Sequence, residues 1–213
     1  MIFILLAYLL GSISFALVAS WVFNLPDPRT YGSGNPGATN VLRSGKKAAA
    51  VLTLLGDAGK GWLAINLAQH FVATWSLGDE MIAAVALAVL LGHIFPVFLR
   101  FEGGKGVATA VGILLGLNLA MGLLAILTWI LVAMIWRISS LAALIAAALA
   151  PIYAVFFLGF GMNALAVMAM SLLLIWRHKS NISSHQHSTV QQRCSEQRRQ
   201  RLRISAHHSP PVQ

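Results

Sequence analysis

The chain is dominated by apolar runs long enough to cross a lipid bilayer. A hydrocarbon core about 30 Å thick is spanned by about 20 helical residues. Such runs occupy 1–23, 48–75, 81–98, 120–136, 141–158 and 162–175, and a shorter one lies at 107–117. The bilayer interior holds no water to satisfy exposed N–H and C=O groups, so the runs are expected to be helices. The short run is either a tilted crossing or a re-entrant helix enclosed by its neighbours. Composition agrees: 58% of the 213 residues are hydrophobic and 10% are charged, whereas a soluble domain is about a quarter charged.

The placement of the basic residues predicts the topology. Lys and Arg in short loops mark the cytoplasmic side. They gather at Arg29, Arg43, Lys46 and Lys47, at Arg100 and Lys105, at Arg137, and at Arg177 and Lys179. The connections at 76–80, around Asn118 and at 159–162 carry none. All four clusters share one side only if two segments cross between each pair, which makes 107–117 a crossing. The expected fold is an all-α, polytopic membrane bundle of about seven helices, amino terminus outside and carboxyl terminus cytoplasmic. The opening run has no basic n-region and passes Phe15 without a small-residue cleavage site, so no cleavable signal peptide is expected. Cys194 stands alone, which excludes an internal disulfide and an all-cysteine metal site; neither metal nor cofactor is expected. Residues 1–181 read as the membrane-embedded domain. Residues 182–213 read as a basic, disordered tail, with five arginines against Glu196 alone after Asn181. Such a tail is solvated or rests on anionic lipid, and nucleic acid is not expected as a partner.

Two connections carry the chemistry. The first runs Pro26-Asp-Pro-Arg-Thr-Tyr-Gly-Ser-Gly-Asn-Pro-Gly-Ala-Thr-Asn40, then Val41-Leu-Arg43. Gly32, Gly34 and Gly37 can take positive φ and turn backbone N–H groups toward an anion. Ser33, Asn35, Thr39 and Asn40 add neutral donors, and the Arg43 fork fits phosphate. An ordinary turn needs a few such residues, not the nine small or polar ones at 32–40. The second runs Arg100-Phe-Glu-Gly-Gly-Lys-Gly-Val-Ala-Thr109. Gly103, Gly104 and Gly106 flank Lys105 just before a helix expected from about Val107, a ready anion site. It lacks the Gly-x-x-x-x-Gly-Lys-Ser/Thr spacing of an ATP-binding loop.

Other polar residues read less sharply. Asp57 and Lys60 share a helix face, either as a buried pair that fixes packing or as a substrate contact. His93, before Pro96, reads as a hydrogen-bonded packing residue. Ser139 or Ser140 suits a helix N-cap. Arg177, His178 and Lys179 close the last run, where cations suit any helix C-terminus.

Together these motifs resemble those of the bacterial acyl-phosphate:glycerol-3-phosphate acyltransferases, the PlsY family. Gly32-Ser-Gly-Asn-Pro-Gly-Ala-Thr-Asn-Val-Leu-Arg43 is similar to the family's first signature, and Gly92-His-Ile-Phe-Pro-Val-Phe-Leu-Arg-Phe-Glu-Gly-Gly-Lys-Gly-Val-Ala-Thr109 to its second. Trp176-Arg-His-Lys-Ser-Asn-Ile182 resembles the start of the third. The resemblance implies transfer of an acyl group from acyl phosphate to the 1-hydroxyl of glycerol 3-phosphate, without a cofactor, at the cytoplasmic face of the bacterial inner membrane. It implies membrane lipids as surroundings and functional coupling to an enzyme that makes acyl phosphate. It implies catalytic roles for Ser33, Lys105, His178 and Asn181. It implies substrate contacts from Gly32, Gly34, Asn35, Asn40, Arg43, Gly103, Gly104, Gly106, Thr109 and Ser140. Two candidates stand for the general base, His178 and a substrate phosphate oxygen. The His-x-x-x-x-Asp pair of unrelated acyltransferases is absent from the chain.

A phosphate-ester transporter would place its site near the bilayer midplane and show internal repeats. The only echo is Gly37-Ala-Thr39 against Val107-Ala-Thr109. The third signature departs from the family after Ile182. Ser183-Ser-His-Gln-His187 stands where an Arg-Leu pair and then an acidic residue are usual. A frameshift in the gene or a divergent tail would each produce this break.

Overall fold

The computed structural model describes residues 1–75 and 78–179. A compact unit, Met1–Arg177, holds all helices of five residues or more among the described residues. They are α1 (Ile2–Gly11), α2 (Phe15–Val22), α3 (Ala38–Leu42), α4 (Lys47–Trp75), α5 (Glu80–Ile94), α6 (Val107–Leu117), α7 (Leu119–Trp136), α8 (Ser139–Leu158) and α9 (Met162–Arg177). A single 3-10 turn, Val97–Leu99, follows α5. The protein is an all-helical membrane bundle.

Glycine sets how closely the central helices approach. Gly61 of α4 lies against the Thr109 carbonyl of α6, and Gly112 of α6 against the Ala58 carbonyl of α4. Gly11 of α1 meets the Val89 carbonyl of α5, and Gly92 of α5 meets the Tyr8 carbonyl. A Cβ at any of the four would overlap backbone. Membrane helices associate through such close contacts because lipid tails are as apolar as the helices themselves. Ala142, Ala146, Ala150 and Ala154 form a buried small-residue face along α8, which packs between α7 and α9. The opposite kind of surface appears on α7, where Leu123, Leu127, Ile130 and Met134 are exposed and suit lipid.

The apolar run at 1–23 is not one straight helix. It breaks between α1 and α2 with a 44° bend. The Ile13 carbonyl at the break finds a partner from elsewhere: the Lys60 ammonium of α4 donates to it at 2.6 Å. Between α6 and α7 a single residue, Asn118, turns the chain, and its side-chain oxygen accepts the Met121 N–H at 3.0 Å.

Four helical spans are long and apolar enough to cross a bilayer, Lys47–Trp75, Glu80–Leu99, Leu119–Trp136 and Ser139–Leu158, and a fifth if the bent pair is one span. The 11 residues of α6 and 16 of α9 extend about 17 and 24 Å. Length alone therefore supports four or five crossings, and the expected seven require α6 and α9 as well. The N-cap expected at Ser139 or Ser140 is also displaced: Ile138 holds the cap position, without a side-chain bond, and the serines lie in the first turn of α8.

Candidate active site

The connection between α2 and α4 is organised by one buried side chain. Asn40, on α3, accepts the Ser33 N–H through Oδ1 at 2.9 Å. Its Nδ2 donates to the Pro28 carbonyl at 2.7 Å and the Tyr31 carbonyl at 3.1 Å. Gly32 and Gly34 do take positive φ, 61° and 67°. The backbone nest expected there is nevertheless partly occupied, because the Ser33 N–H meets Asn40 and the Gly34 N–H meets the Tyr31 carbonyl. Asn40, expected to touch substrate, bonds its side-chain amide within the loop and shapes it. Gly32 sits directly against Asn40 and the Arg43 side chain, so a larger residue would push Arg43 aside. Ser33, Thr39 and Arg43 remain exposed, with Asn35 half-buried. Below them Arg29 and Asp27 form a bidentate pair at the loop's start, which holds the Asp27 carboxyl below its ordinary pKa.

The connection between α5 and α6 is compact. The Phe101 N–H bonds to the Pro96 carbonyl and the Gly104 N–H to the His93 carbonyl at 3.2 Å. Gly103 and Gly104 are buried; Gly103 packs on Pro96 and the His93 carbonyl, and Gly104 on the His93 ring. Gly106 is the N-cap of α6, with φ 86° in the left-handed region. Lys105 is half-buried between these glycines. Burial first, then the positive charges of Arg177 and Arg43, push its pKa below the ordinary lysine value. Lys105 thus sits beside the amino end of α6 in the field of two other cations from separate parts of the chain. Such an arrangement suits an anion, whose binding would relieve the mutual repulsion.

Under this spot lies a buried polar network. Asp57 Oδ1 is 2.9 Å from Lys60 Nζ and 3.5 Å from His93 Nδ1, and the Thr109 hydroxyl is 3.1 Å from the same ring nitrogen. Thr109, expected among the substrate contacts, is fully buried with its hydroxyl committed to His93, so it lies beneath the loop. Asp57 and Lys60 are buried and paired, as a packing role requires, and His93 is hydrogen-bonded as expected.

A family model described as "Glycerol-3-phosphate acyltransferase" matches residues 1–187. The chain is 69% identical over 180 residues to a glycerol-3-phosphate acyltransferase of Nitrosospira multiformis, covering 84% of this chain and 89% of that one. It is 60% identical to one from Burkholderia ambifaria, covering 84% of each. It also resembles the crystal structure of PlsY, an integral membrane glycerol 3-phosphate acyltransferase, in its glycerol 3-phosphate form, with TM-score 0.81, 33% identity and 88% and 92% coverage. The lysophosphatidic acid form of that enzyme matches with TM-score 0.78 and 34% identity. The chain belongs to the glycerol-3-phosphate acyltransferase family.

In this acyltransferase the remaining expected residues fall in different places. Ser140 is in the first turn of α8, and α8 packs beside α9 with a three-residue connection between them, 159–161. The amino end of α8 and the carboxyl end of α9 therefore lie at the same end of the bundle. His178 follows directly after α9. Asn181 and the tail expected at 182–213 lie outside the described residues. The residue that sequence reading undervalued is Arg177. It was indistinguishable from a generic cation at a helix C-terminus, yet its Nη2 donates to the Gly103 and Gly104 carbonyls at 3.0 and 3.4 Å. Its guanidinium lies 5.8 Å from the Phe95 ring centre and 6.0 Å from that of Trp176. In the sequence only the adjoining Trp176 hinted at a held arginine.

Proposed function

We propose that this chain transfers an acyl group from acyl phosphate to the 1-hydroxyl of glycerol 3-phosphate, giving 1-acyl-glycerol 3-phosphate and inorganic phosphate. The observation that carries the reading is Lys105, half-buried in a glycine turn at the amino end of α6 and within the field of Arg43 and Arg177, in a bundle of apolar helices. Both substrates carry phosphate and one carries a fatty chain, so a cationic spot at the edge of an apolar bundle suits them both. The glycerol oxygen attacks the acyl carbon, the bond from that carbon to the phosphate oxygen breaks, and the hydroxyl proton ends on the departing phosphate. His178 and Asn181 are the candidates to guide that proton. Acyl phosphate is an activated mixed anhydride, so orientation and charge stabilisation can supply much of the rate. In this reading Ser33, Asn35 and Arg43 meet one phosphate, and Lys105 with Gly106 meets the other. Asn40 and Thr109 hold the two loops in shape. Donor choice tests the assignment: purified protein should use palmitoyl phosphate and leave palmitoyl-CoA untouched. Comparable rates with both donors would remove acyl phosphate as the specific substrate.

The same reading has seven crossings, with α6 and α9 completing the count as short tilted helices among their neighbours. The amino terminus is outside, the loops that carry Ser33 and Lys105 face the cytoplasm of the inner membrane, and the acyltransferase domain ends near residue 181. Supply of acyl phosphate by a coupled enzyme fits this orientation. In a Cys194→Ser background, Ser33→Cys should react only with reagents that enter the cytoplasm, and Asp79→Cys with impermeant reagents added outside. Labelling of Ser33→Cys from outside would reverse the topology.

A further inference from the structure

We propose that Arg177 is a positioning residue that fixes the peptide planes around Gly103 and Gly104 and so holds Lys105 toward the substrate phosphate; this rests on the acyl-transfer reading above. A turn of glycines has no side chains with which to stiffen itself. This one is held from both sides. Across a trans peptide the carbonyl and the N–H point in opposite directions. Arg177 draws the Gly103 carbonyl to itself at 3.0 Å, and the N–H of that same peptide, on Gly104, is bonded on the far side to the His93 carbonyl at 3.2 Å. One peptide is thereby pinned at both ends, by α9 and by α5. The next carbonyl, of Gly104, is also within reach of the guanidinium at 3.4 Å, which turns the Lys105 N–H away from Arg177. The His93 ring meanwhile lies against the Gly104 Cα, where a side chain would collide.

The arginine is itself held, with the Phe95 and Trp176 rings within about 6 Å of its guanidinium. Its action on Lys105 is not attraction. The two side chains carry like charge, and the contact between them runs through neutral carbonyls. Both bonds come from one nitrogen, Nη2, at the end of a side chain whose guanidinium plane lies beside the two rings; a lysine ammonium ends one bond shorter and has no such plane to hold it there.

Arg177→Lys, which keeps the charge, should therefore lower kcat about tenfold while KM for both substrates stays within about twofold. In a Lys105→Ala background the same change should lower kcat by less than about twofold more, because a residue that acts through Lys105 has little left to do. Multiplying effects would make Arg177 independent of Lys105. A raised KM at unchanged kcat would make it a direct substrate contact. Either result, or full activity of Arg177→Lys, overturns the proposal. Should Arg177→Lys not elute as a folded species, Gly104→Ala carries the test from the other side, by crowding the His93 ring. It should show the same fall in kcat and the same lack of additivity with Lys105→Ala, and multiplying effects there would overturn the clamp as well. A wild-type protein that releases no phosphate contradicts the acyl-transfer reading itself, whereas an active wild type with an equally active Arg177→Lys contradicts only the clamp.

Discussion

Replacing Lys105 with alanine is expected to reduce turnover about a hundredfold, on the order of 3 kcal/mol of transition-state stabilisation. The ammonium is half-buried beside the start of α6 and already lies in the field of Arg177 and Arg43. Such a charge loses little solvation when it meets a phosphate, and its effect grows as negative charge collects on the leaving group. Arginine should not restore the rate. Gly103 and Gly104 are buried against Pro96 and His93, and the flat guanidinium needs more room than a point charge. Folding should survive, because Lys105 lies in a connection and not at a helix contact. Detergent-purified variants that elute as a single folded species can be compared for phosphate release at saturating levels of both substrates. Near-normal turnover of Lys105→Ala would reduce this residue to a loop cation.

Asp57→Asn is expected to have the largest effect on stability. Asp57 and Lys60 lie 2.9 Å apart with side chains 3% and 1% exposed. Removing the carboxylate leaves a buried ammonium bonded to the neutral Ile13 carbonyl. Breaking a buried ion pair from one side costs about 3–5 kcal/mol. Adding Lys60→Met to Asp57→Asn should recover part of that loss, since the pair as a whole contributes much less than either charge left alone. Thermal unfolding of the two variants in detergent decides it. Equal midpoints for Asp57→Asn and the wild type would mean the pair does not hold α4 against the α1–α2 break.

Much of this architecture was legible in the residues. The ends of α4, α6, α7 and α8 at Trp75, Leu117, Trp136 and Leu158 coincide with the ends of apolar runs, because a helix leaves lipid where its side chains change. The beginning of α6 after Gly106 was legible from the glycine pattern. The bend after Gly11 was not: Gly11, Ser12 and Ser14 loosen the run there, but nothing local says that a lysine 47 positions later will satisfy the Ile13 carbonyl. The state of the first glycine loop was hidden for a similar reason. Positive φ at Gly32 and Gly34 follows from composition, but whether their neighbouring N–H groups are free depends on Asn40 reaching back 7 residues to Ser33. Thr109 was expected among the substrate contacts, and only the fold shows that it lies on the inward face of the first turn of α6, bonded to His93. Arg177 needed a contact across 74 residues before it differed from any other helix-terminal cation.

The central claim is that two glycine-rich turns bring one acyl-phosphate donor and one phosphate-bearing acceptor together for a single acyl transfer. Its most direct test uses the full-length protein, purified in detergent and given palmitoyl phosphate with and without glycerol 3-phosphate. Inorganic phosphate and the acylated glycerol phosphate are measured together. The expected result is equimolar formation of both, strictly dependent on glycerol 3-phosphate. Phosphate released at the same rate without the acceptor, or no acylated product in its presence, would contradict the account.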